Sequence, residues 1–288
     1  VRKAAAEFEL KNPGKMVIAA VNGDWFEISR DVKASVGVTI SNGEYYKSVT
    51  GYPNIHTLAF NNSGNGKKIT EITDRSIKPV LTIYDQSGNE IKTIDINKVN
   101  QEPGNNEISL FYPNLKPEDS YSKKYQNISV NDAWVVTNAS ASITPVSDCF
   151  YGKGKISKQS GSYELINGKF AIKTNNSEID SLLKEEVVIR CQYVYANEAY
   201  KDVENAICYP YAVMKNGEHV YPVDATTTNN DAKYRKPRTM IGQREDGSII
   251  LATVDGRQPT DKMFGMTSAE MAALIEYYGC VDAWNLDG

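Results

Sequence analysis

A carboxylate side chain is paired with an amide or a hydroxyl at three points of the sequence, each pair beside a glycine. Residues two apart on an extended backbone point to the same face, so each pair predicts two polar groups facing one way. Carboxylates stabilise or attack a developing positive charge or activate water, and a guanidinium binds anions through paired hydrogen bonds. The pairs are Asn22 with Asp24, Thr253 with Asp255, and Asn285 with Asp287, and the accompanying arginines are Arg238 and Arg257.

Two interpretations of these residues are open from the sequence. Asn-Gly and Asp-Gly pairs are common turn formers, and each arginine could make a structural ion pair with an aspartate. The recurrence of the pairs after three apolar stretches favours a polar cluster instead. We therefore predict that one cleft gathers Asn22, Asp24, Arg238, Asp255, Arg257, Asn285 and Asp287.

The C-terminal residues predict the elements that hold such a cleft. Residues 248–254 and 280–286 have the apolar, β-branched character of buried strands. Between them, Thr267 and Glu270 fit a capping box, and Met271, Leu274 and Ile275 follow at helical spacing, so a helix is expected over 267–278. Strand, helix and strand form a βαβ unit, whose two strands run parallel and end at the same edge of a sheet.

The rest of the sequence predicts a β-rich fold. Residues 16–21 resemble a third buried strand that ends at Asn22, and most of the chain consists of short alternating runs between turns. Single strands are expected at 187–195 and 205–214, and residues 152–162 suggest a mobile connection. We expect an α+β fold with mixed sheets and few helices, in one domain over residues 1–288.

Composition excludes several classes of protein. The chain has 288 residues, is 41% hydrophobic, and carries a net charge of −4, which gives no general attraction to nucleic acid. It has no apolar run long enough for a membrane span. Two histidines and four cysteines without a CxxC pair argue against a zinc site. A bridge between Cys191 and Cys208 and free buried thiols are both open.

The same motifs carry a resemblance to a known family, the phosphodiester glycosidases. The resemblance is sharp at the two ends of the chain and weaker in the middle, and the pieces occur in the family's order. The family continues with further glycines where this sequence stops at Gly288, and Cys208 to Tyr211 replace residues that tend to be glycines. The matching pieces are Val-Asn-Gly-Asp-Trp-Phe at 21–26, Arg-Thr-Met-Ile-Gly at 238–242, Thr-Val-Asp-Gly-Arg-Gln at 253–258, Gly-Met-Thr at 265–267 and Asn-Leu-Asp-Gly at 285–288.

This resemblance implies a hydrolase that cleaves the glycosidic bond of a sugar-1-phosphodiester, such as one of N-acetylglucosamine, and releases sugar and phosphomonoester. It implies no cofactor, although an oxygen-rich cluster also suits a hard divalent metal ion. A secreted, periplasmic or cell-surface location is expected. The implied catalytic residues are Asp24, Asp255 and Asp287, and the implied substrate-binding residues are Asn22, Gly23, Arg238, Thr239, Arg257 and Asn285.

Two other functions are compatible with the same residues. A module of the same fold could bind glycan or cell-wall phosphodiesters without cleaving them. A phosphodiesterase could instead cut on the phosphorus side with the help of a metal ion. The products formed from a sugar-1-phosphodiester distinguish all three.

Overall fold

The structure is a computed structural model. Asp24 and Gly288, both predicted site residues or neighbours of them, lie outside the part of the chain that it describes. The described residues are 2–23, 37–41, 44–47, 56–63, 66–72, 77–112, 128–136, 151–165, 170–196, 202–221 and 233–287.

The described residues form many strands and three α-helices, which confirms the predicted α+β fold. The helices are α1 (Arg2–Lys11), α2 (Ser177–Leu182) and α3 (Ser268–Tyr277). The strands are β1 (Thr39–Ser41), β2 (Glu44–Lys47), β3 (His56–Ser63), β4 (Gly66–Ile72), β5 (Ile77–Tyr84), β6 (Glu90–Asp95), β7 (Lys98–Val99), β8 (Ile108–Phe111), β9 (Ile128–Val136), β10 (Tyr151–Leu165), β11 (Ala171–Thr174), β12 (Val188–Tyr195), β13 (Val203–Tyr209), β14 (Tyr211–Lys215), β15 (Glu218–His219), β16 (Arg238–Gln243), β17 (Ile249–Val254) and β18 (Asp282–Asn285).

These strands make three sheets. The first is five-stranded in the order β2-β1-β13-β3-β4, the second eight-stranded in the order β6-β5-β12-β10-β9-β11-β8-β7, and the third five-stranded in the order β15-β14-β18-β16-β17. Nearly every pairing is antiparallel, and β7 with β8 is a parallel exception. The predicted mixed sheets are therefore present.

The first sheet is the middle layer, because its two faces enter two different cores. Ala59 and Ala206 belong to the core shared with the eight-stranded sheet. Their strand neighbours Leu58 and Ile207 belong to the core shared with Trp284 of the third sheet. This alternation is what strand geometry requires of a sheet that is covered on both sides.

A polar contact also joins the first and third sheets. The Glu71 carboxylate on β4 accepts a hydrogen bond of 2.7 Å from the indole of Trp284 and one of 2.5 Å from the ammonium of Lys215. Burial raises the pKa of Glu71, but the hydrogen bonds from Lys215, Trp284 and Tyr209 outweigh it and hold the pKa below its ordinary value. The third sheet is thereby fixed to the layer beneath it.

The C-terminal unit confirms the predicted strand, helix and strand. Both β17 and β18 pair antiparallel with β16, which lies between them, so β17 and β18 run parallel in one sheet. The capping box at the start of α3 forms, with the Thr267 side chain accepting from Glu270 N–H and the Glu270 carboxylate accepting from Thr267 N–H. Gly279 has φ +74° and ends the helix in the left-handed conformation that the sequence predicts.

The predicted buried strand at 16–21 is wrong. None of these residues lies in a strand, and Met16 and Ile18 are 75% and 88% exposed. The segment is tied instead by the hydrogen bond from Val17 N–H to the Glu9 carboxylate, and by Val21, which packs against the core between the first and third sheets. An apolar run was therefore not a sufficient signal for a buried strand.

Other expectations needed smaller corrections. Residues 152–162 belong to the long strand β10 rather than to a mobile connection, because the lysines and glycines pair across β9 and β12. Residues 205–214 form two strands in two sheets, β13 and β14, divided at Pro210. The expected burial of residues 248–254 is only partial, since β17 is an edge strand. Cys191 and Cys208 lie in different sheets as buried thiols and make no disulfide bridge with each other.

Candidate functional site

Several of the motif residues lie side by side at one end of the third sheet. We call this end of the sheet, together with the loops next to it that carry Asp255 to Arg257 and Gly265, the motif end. Its row of neighbouring backbone positions consists of Gly23, Arg238, Val254 and Asp287. Arg238 pairs with Val254 on β17. The register that pairs Met240 with Asn285, together with the 2.8 Å bond from Leu286 N–H to Thr239 O, places Asp287 level with Arg238.

The N-terminal motif joins this row from the other side. Asp287 N–H donates a hydrogen bond of 3.2 Å to the carbonyl of Gly23. Asn22 and Gly23 therefore lie beside the end of β18, and residues from both ends of the chain meet there. Asn22 is exposed and the neighbouring Asp24 lies outside the described residues.

Two glycines let the loops of the motif end lie against each other. Lys236 and Met266 form an isolated bridge, with bonds of 3.2 Å and 3.0 Å between their backbones. A Cβ on Gly265, whose φ is +79°, would lie 2.3 Å from the Lys236 carbonyl oxygen. A Cβ on Gly256 would lie 2.6 Å from the backbone nitrogen of Pro237. Only glycine permits this approach of the two loops, which explains why the motifs contain it.

Arg238 connects three segments from a buried position. Its side chain donates to the carbonyl of Met266 at 2.9 Å, to the carbonyl of Tyr234 at 2.9 Å and to the hydroxyl of Tyr211 at 3.3 Å. Tyr211 in turn shares a hydrogen bond of 2.8 Å with Ser268, the first residue of α3. This guanidinium organises the loops around the motif end.

Asp255 and Arg257 have a different environment. Both are exposed and follow the end of β17, and Arg257 adopts φ +60°. Within the described part of the chain, neither the Asp255 carboxylate nor the Arg257 guanidinium has a hydrogen bond or ion pair. A carboxylate and a guanidinium two residues apart, both open to solvent, are available to a ligand.

Asn285 presents a buried oxygen that lacks a donor. Its side chain is 2% exposed, and its Oδ1 has no hydrogen-bond partner among the described residues. A buried acceptor without a donor costs about 1–3 kcal/mol, so the position favours a hydroxyl or amide donor from elsewhere.

The predicted same-face pairs do not all share one face of the sheet. Asn285 pairs with Met240 and lies on the face that α3 covers. Thr253 pairs with the buried Thr239 on the opposite face. Asp255 and Asp287 both follow the last paired residue of their strands, where alternation no longer fixes the direction of a side chain.

Sequence reasoning missed Tyr211 and the carbonyl of Met266, which position Arg238. The signal for Met266 was the Gly-Met-Thr motif at 265–267, which was recognised through the family resemblance without a role for Met266, and Tyr211 was noted only within the departure from the family at 208–211. Among the described residues, no three His, Cys, Asp or Glu side chains are grouped closely enough to hold a metal ion.

A second polar region lies on the eight-stranded sheet, whereas the motif end lies on the third sheet. This region, the Trp134 groove, has a volume of about 400 Å³. The Trp134 indole donates to Asp180 at 2.8 Å, and Lys158 lies 5.3 Å from the centre of the Trp134 ring. The groove is lined by Asp132, Trp134, Lys158, Lys173, Thr174, Asn175, Asn176, Ser177 and Asp180.

Comparison with known protein families decides the family. The model of the family described as "Phosphodiester glycosidase" matches residues 125–288, more than half of the chain. The chain belongs to the phosphodiester glycosidase family. The matched range includes β16, β17, α3 and β18, which form most of the motif end of this phosphodiester glycosidase domain.

Individual proteins match different shares of this chain. The SPbeta prophage-derived uncharacterized protein YomE of Bacillus subtilis (strain 168) is 42% identical over 62 residues, which are 22% of this chain and 9% of YomE. A hypothetical protein from Synechocystis has a similar solved structure, with TM-score 0.60, 17% identity, and coverage of 93% of this chain and 45% of that one. A putative exported protein from Burkholderia pseudomallei has TM-score 0.57, 15% identity, and coverage of 93% and 59%.

These likenesses show the fold, and the chain spans less than two thirds of the length of each of these proteins. Among the helices of the described residues, none has the length and apolar character needed to cross a membrane.

Proposed function

We propose that this phosphodiester glycosidase domain hydrolyses the glycosidic bond of a sugar-1-phosphodiester, of the N-acetylglucosamine-1-phosphodiester type. The observation that supports it most is the meeting of the family's motifs at the motif end, where Asp287 binds the Gly23 backbone and Asp255 and Arg257 stay open to solvent. Because family membership and fold do not name a substrate, the sugar is part of the proposal.

In this proposal Arg257 binds the phosphate group. A guanidinium matches two phosphate oxygens with two parallel hydrogen bonds, and an exposed one loses little existing interaction when it does so. Arg238 adds positive charge nearby while it holds the carbonyls of Tyr234 and Met266. Asn22, Gly23 and Asn285 are assigned to sugar hydroxyls or to orienting the carboxylates, and Thr239, which is buried on the opposite face of the sheet from Asn285, is assigned to orienting the carboxylates alone.

The carboxylates of Asp24, Asp255 and Asp287 are proposed to act at the anomeric carbon of the sugar. The bond between that carbon and the phosphate oxygen breaks, and the phosphate leaves with the bonding electrons as a monoester. The positive charge that develops on the sugar is stabilised or captured by a carboxylate, and water completes the hydrolysis and gives up a proton. A phosphate monoester is already a good leaving group, so the reaction needs no strong general acid and no histidine.

The products of one incubation test the proposal. Purified protein is mixed with a phosphodiester of N-acetylglucosamine 1-phosphate, and the products are identified. Free sugar with a phosphomonoester supports the proposal. Release of the sugar 1-phosphate would show cleavage on the phosphorus side, and binding without turnover would show a recognition module.

The location of the protein belongs to the same proposal. Its structural relative from Burkholderia pseudomallei is a putative exported protein. We propose that this domain acts in a secreted, periplasmic or cell-surface setting. Fractionation of cells that make the protein, followed by detection with an antibody, measures this directly.

A further inference from the structure

Two pairs of aromatic rings lie where the C-terminal end of α3 meets the hairpin of β14 and β15. Tyr277 is 83% exposed and Tyr278 is 45% exposed, and their ring centres are 5.4 Å apart with the ring planes at 79°. On the hairpin, the ring centres of His219 and Tyr221 are 6.0 Å apart. Large aromatic side chains that are grouped at a surface, unlike single ones, mark a site of interaction.

One hydrogen bond joins the two pairs of rings. The Nε2 of His219 lies 3.0 Å from the Oε2 of Glu276, the residue before Tyr277. Both of the bonded groups stay open to solvent, because the side chains of His219 and Glu276 are 36% and 61% exposed. We call the five residues His219, Tyr221, Glu276, Tyr277 and Tyr278 the tyrosine surface.

The backbone beneath the tyrosine surface is held in place from two sides. Arg244 donates from Nε to the carbonyl of Tyr278 at 2.7 Å, which fixes the end of α3. In the turn of the hairpin, Gly217 N–H donates to the carbonyl of Val281 at 2.8 Å, which fixes the hairpin to the segment after the helix. A surface that is shaped before its ligand arrives loses little conformational entropy on binding.

We propose that the tyrosine surface binds an uncharged glycan chain, at a site separate from the motif end. A pyranose has apolar C–H faces, which stack on aromatic rings, and hydroxyl groups around its edge. The rings of Tyr277 and Tyr278 are nearly perpendicular, so they form a corner in which one ring contacts the face of a sugar and the other borders its edge. The carboxylate of Glu276 accepts hydrogen bonds from the sugar hydroxyls beside that corner.

The polar groups of the tyrosine surface favour a glycan over a protein or an anionic partner. The centre of a protein interface is depleted of charged residues, whereas Glu276 lies between the two pairs of rings. An anionic membrane or a phosphate-rich polymer is bound by basic side chains, and the last turn of α3 contains none. The guanidinium of Arg244 lies beside the surface but already donates to a backbone carbonyl.

The position of the tyrosine surface makes it a second site on the third sheet. The other end of α3 adjoins the motif end, because Ser268 shares a hydrogen bond with Tyr211, which accepts one from Arg238. The helix has ten residues and therefore separates its two ends by about 15 Å. A long glycan held at the tyrosine surface can reach the motif end, whereas a single sugar phosphodiester cannot contact both. Such binding requires no cleavage, so it stands apart from the proposed function.

Titration calorimetry with three uncharged oligosaccharides, chitohexaose, cellohexaose and maltohexaose, tests the proposal. At least one of them is expected to bind the natural chain, and Tyr277→Ala is expected to raise its Kd about three- to tenfold. Tyr277→Phe keeps the ring and should keep most of the binding. Phe8→Ala, which removes a 45% exposed aromatic side chain from α1, is the matched control and should leave the Kd unchanged.

Two further measurements separate the tyrosine surface from the motif end. Arg257→Ala should leave the Kd for the oligosaccharide unchanged, because these sugars carry no phosphate. Tyr277→Ala should leave the hydrolysis of a small sugar-1-phosphodiester unchanged. If the natural chain hydrolyses no such substrate, the proposed function fails and the calorimetry still measures the glycan.

Three results would overturn the glycan proposal. The first is no binding of any of the three oligosaccharides, and the second is an equal Kd for the natural chain and Tyr277→Ala. The third is binding that Arg257→Ala removes and Tyr277→Ala does not, which would place the glycan at the motif end. Self-association in analytical ultracentrifugation that is lost in Tyr277→Ala, without oligosaccharide binding, would replace the glycan with a second copy of the chain.

Discussion

The Trp134 groove and the motif end contain the same kinds of side chain but use them differently. In and beside the groove, Lys158 pairs with Asp180 at 3.1 Å and Lys173 pairs with Glu102 at 2.7 Å. At the motif end, the Asp255 carboxylate and the Arg257 guanidinium make no such pair within the described residues. The charges of the Trp134 groove are thus already paired with each other, whereas the motif end keeps two charges open for a ligand.

The two regions also differ in what fixes their shape. The groove is made from the faces of regular strands and from α2, and its polar groups hold each other in place. The motif end is made from strand ends and loops, and it depends on glycines whose replacement would force backbones apart. A site that is to bind charge needs rigid supports other than the charges themselves. The predictions below test this difference, from the largest expected effect to the smallest.

Removing a carboxylate at the motif end should have the largest effect. A carboxylate that faces the anomeric carbon gains most as positive charge develops there, so Asp255→Asn and Asp287→Asn should lower kcat by about a hundredfold or more while KM changes little. Steady-state kinetics on a sugar-1-phosphodiester measure both constants. Asp261→Asn, an exposed carboxylate on the next loop, is the control. Near-normal turnover in both aspartate variants would make the carboxylates structural.

Removing the exposed guanidinium of Arg257 should weaken the binding of the substrate. Arg257 contacts phosphate in the ground state and the transition state alike, so Arg257→Ala should raise KM about tenfold or more with a smaller change in kcat. Arg244→Ala is the control, because Arg244 donates to the Tyr278 carbonyl at the other end of α3. If Arg257→Ala abolished turnover and left KM unchanged, the division between phosphate binding and charge stabilisation would be wrong.

Replacing Gly265 at the motif end should lower the stability of the fold. Gly265→Ala combines a positive φ with a contact to the Lys236 carbonyl oxygen, and should lower the free energy of unfolding by about 2–3 kcal/mol. Gly161→Ala has φ +75° but meets nothing within 4 Å, so it should cost only about 1 kcal/mol. Urea unfolding of both variants measures the difference. Equal losses would show that the approach of the two loops is not what requires glycine at 265.

The groove should show the smallest effect, on stability alone. Burial raises the pKa of Asp180, but hydrogen bonds from Trp134 and Lys158 outweigh it and hold the pKa below the ordinary 3.8. The ionised carboxylate therefore stabilises the fold above pH 3.8 and ceases to do so as pH falls through the lowered pKa. Asp180→Asn should cost about 0.5–1 kcal/mol at pH 7, with the difference from the natural chain shrinking in acid and activity unchanged. A loss of activity in this variant would contradict the structural role of the groove.

The C-terminal unit shows what the sequence was able to predict. The capping box at Thr267 and Glu270, the helical spacing after it and the terminal Gly279 are local signals, and local signals predicted α3 and the parallel direction of β17 and β18. The N-terminal run at 16–21 shows the limit. An apolar run is compatible with a buried strand and with an exposed segment outside any sheet. Which of the two forms depends on neighbouring strands that the run itself does not encode.

Pro210 and the two site glycines show a second limit. The change of sheet between β13 and β14 depends on how three sheets stack, and nothing in the run at 205–214 except the proline indicates it. The need for glycine at 256 and 265 becomes visible only when Lys236 and Pro237 are seen against them. Long-range packing, rather than local preference, decides such features. The use of Arg238 as a support for three segments, beyond its expected role as a substrate ligand, is another such feature.

The hydrogen bond between Gly23 and Asp287 has a consequence for how the protein folds during its synthesis. Its partners are widely separated in the sequence, so it closes a very long loop, and contacts of that kind form late in folding. During synthesis, residues 22 and 23 leave the ribosome before β18 does, so they cannot make this contact until β18 has been made. The strands of the first two sheets precede β14 in the sequence, so these sheets can form before β16, β17 and β18 are made, and we expect the proposed activity to appear in a single late step.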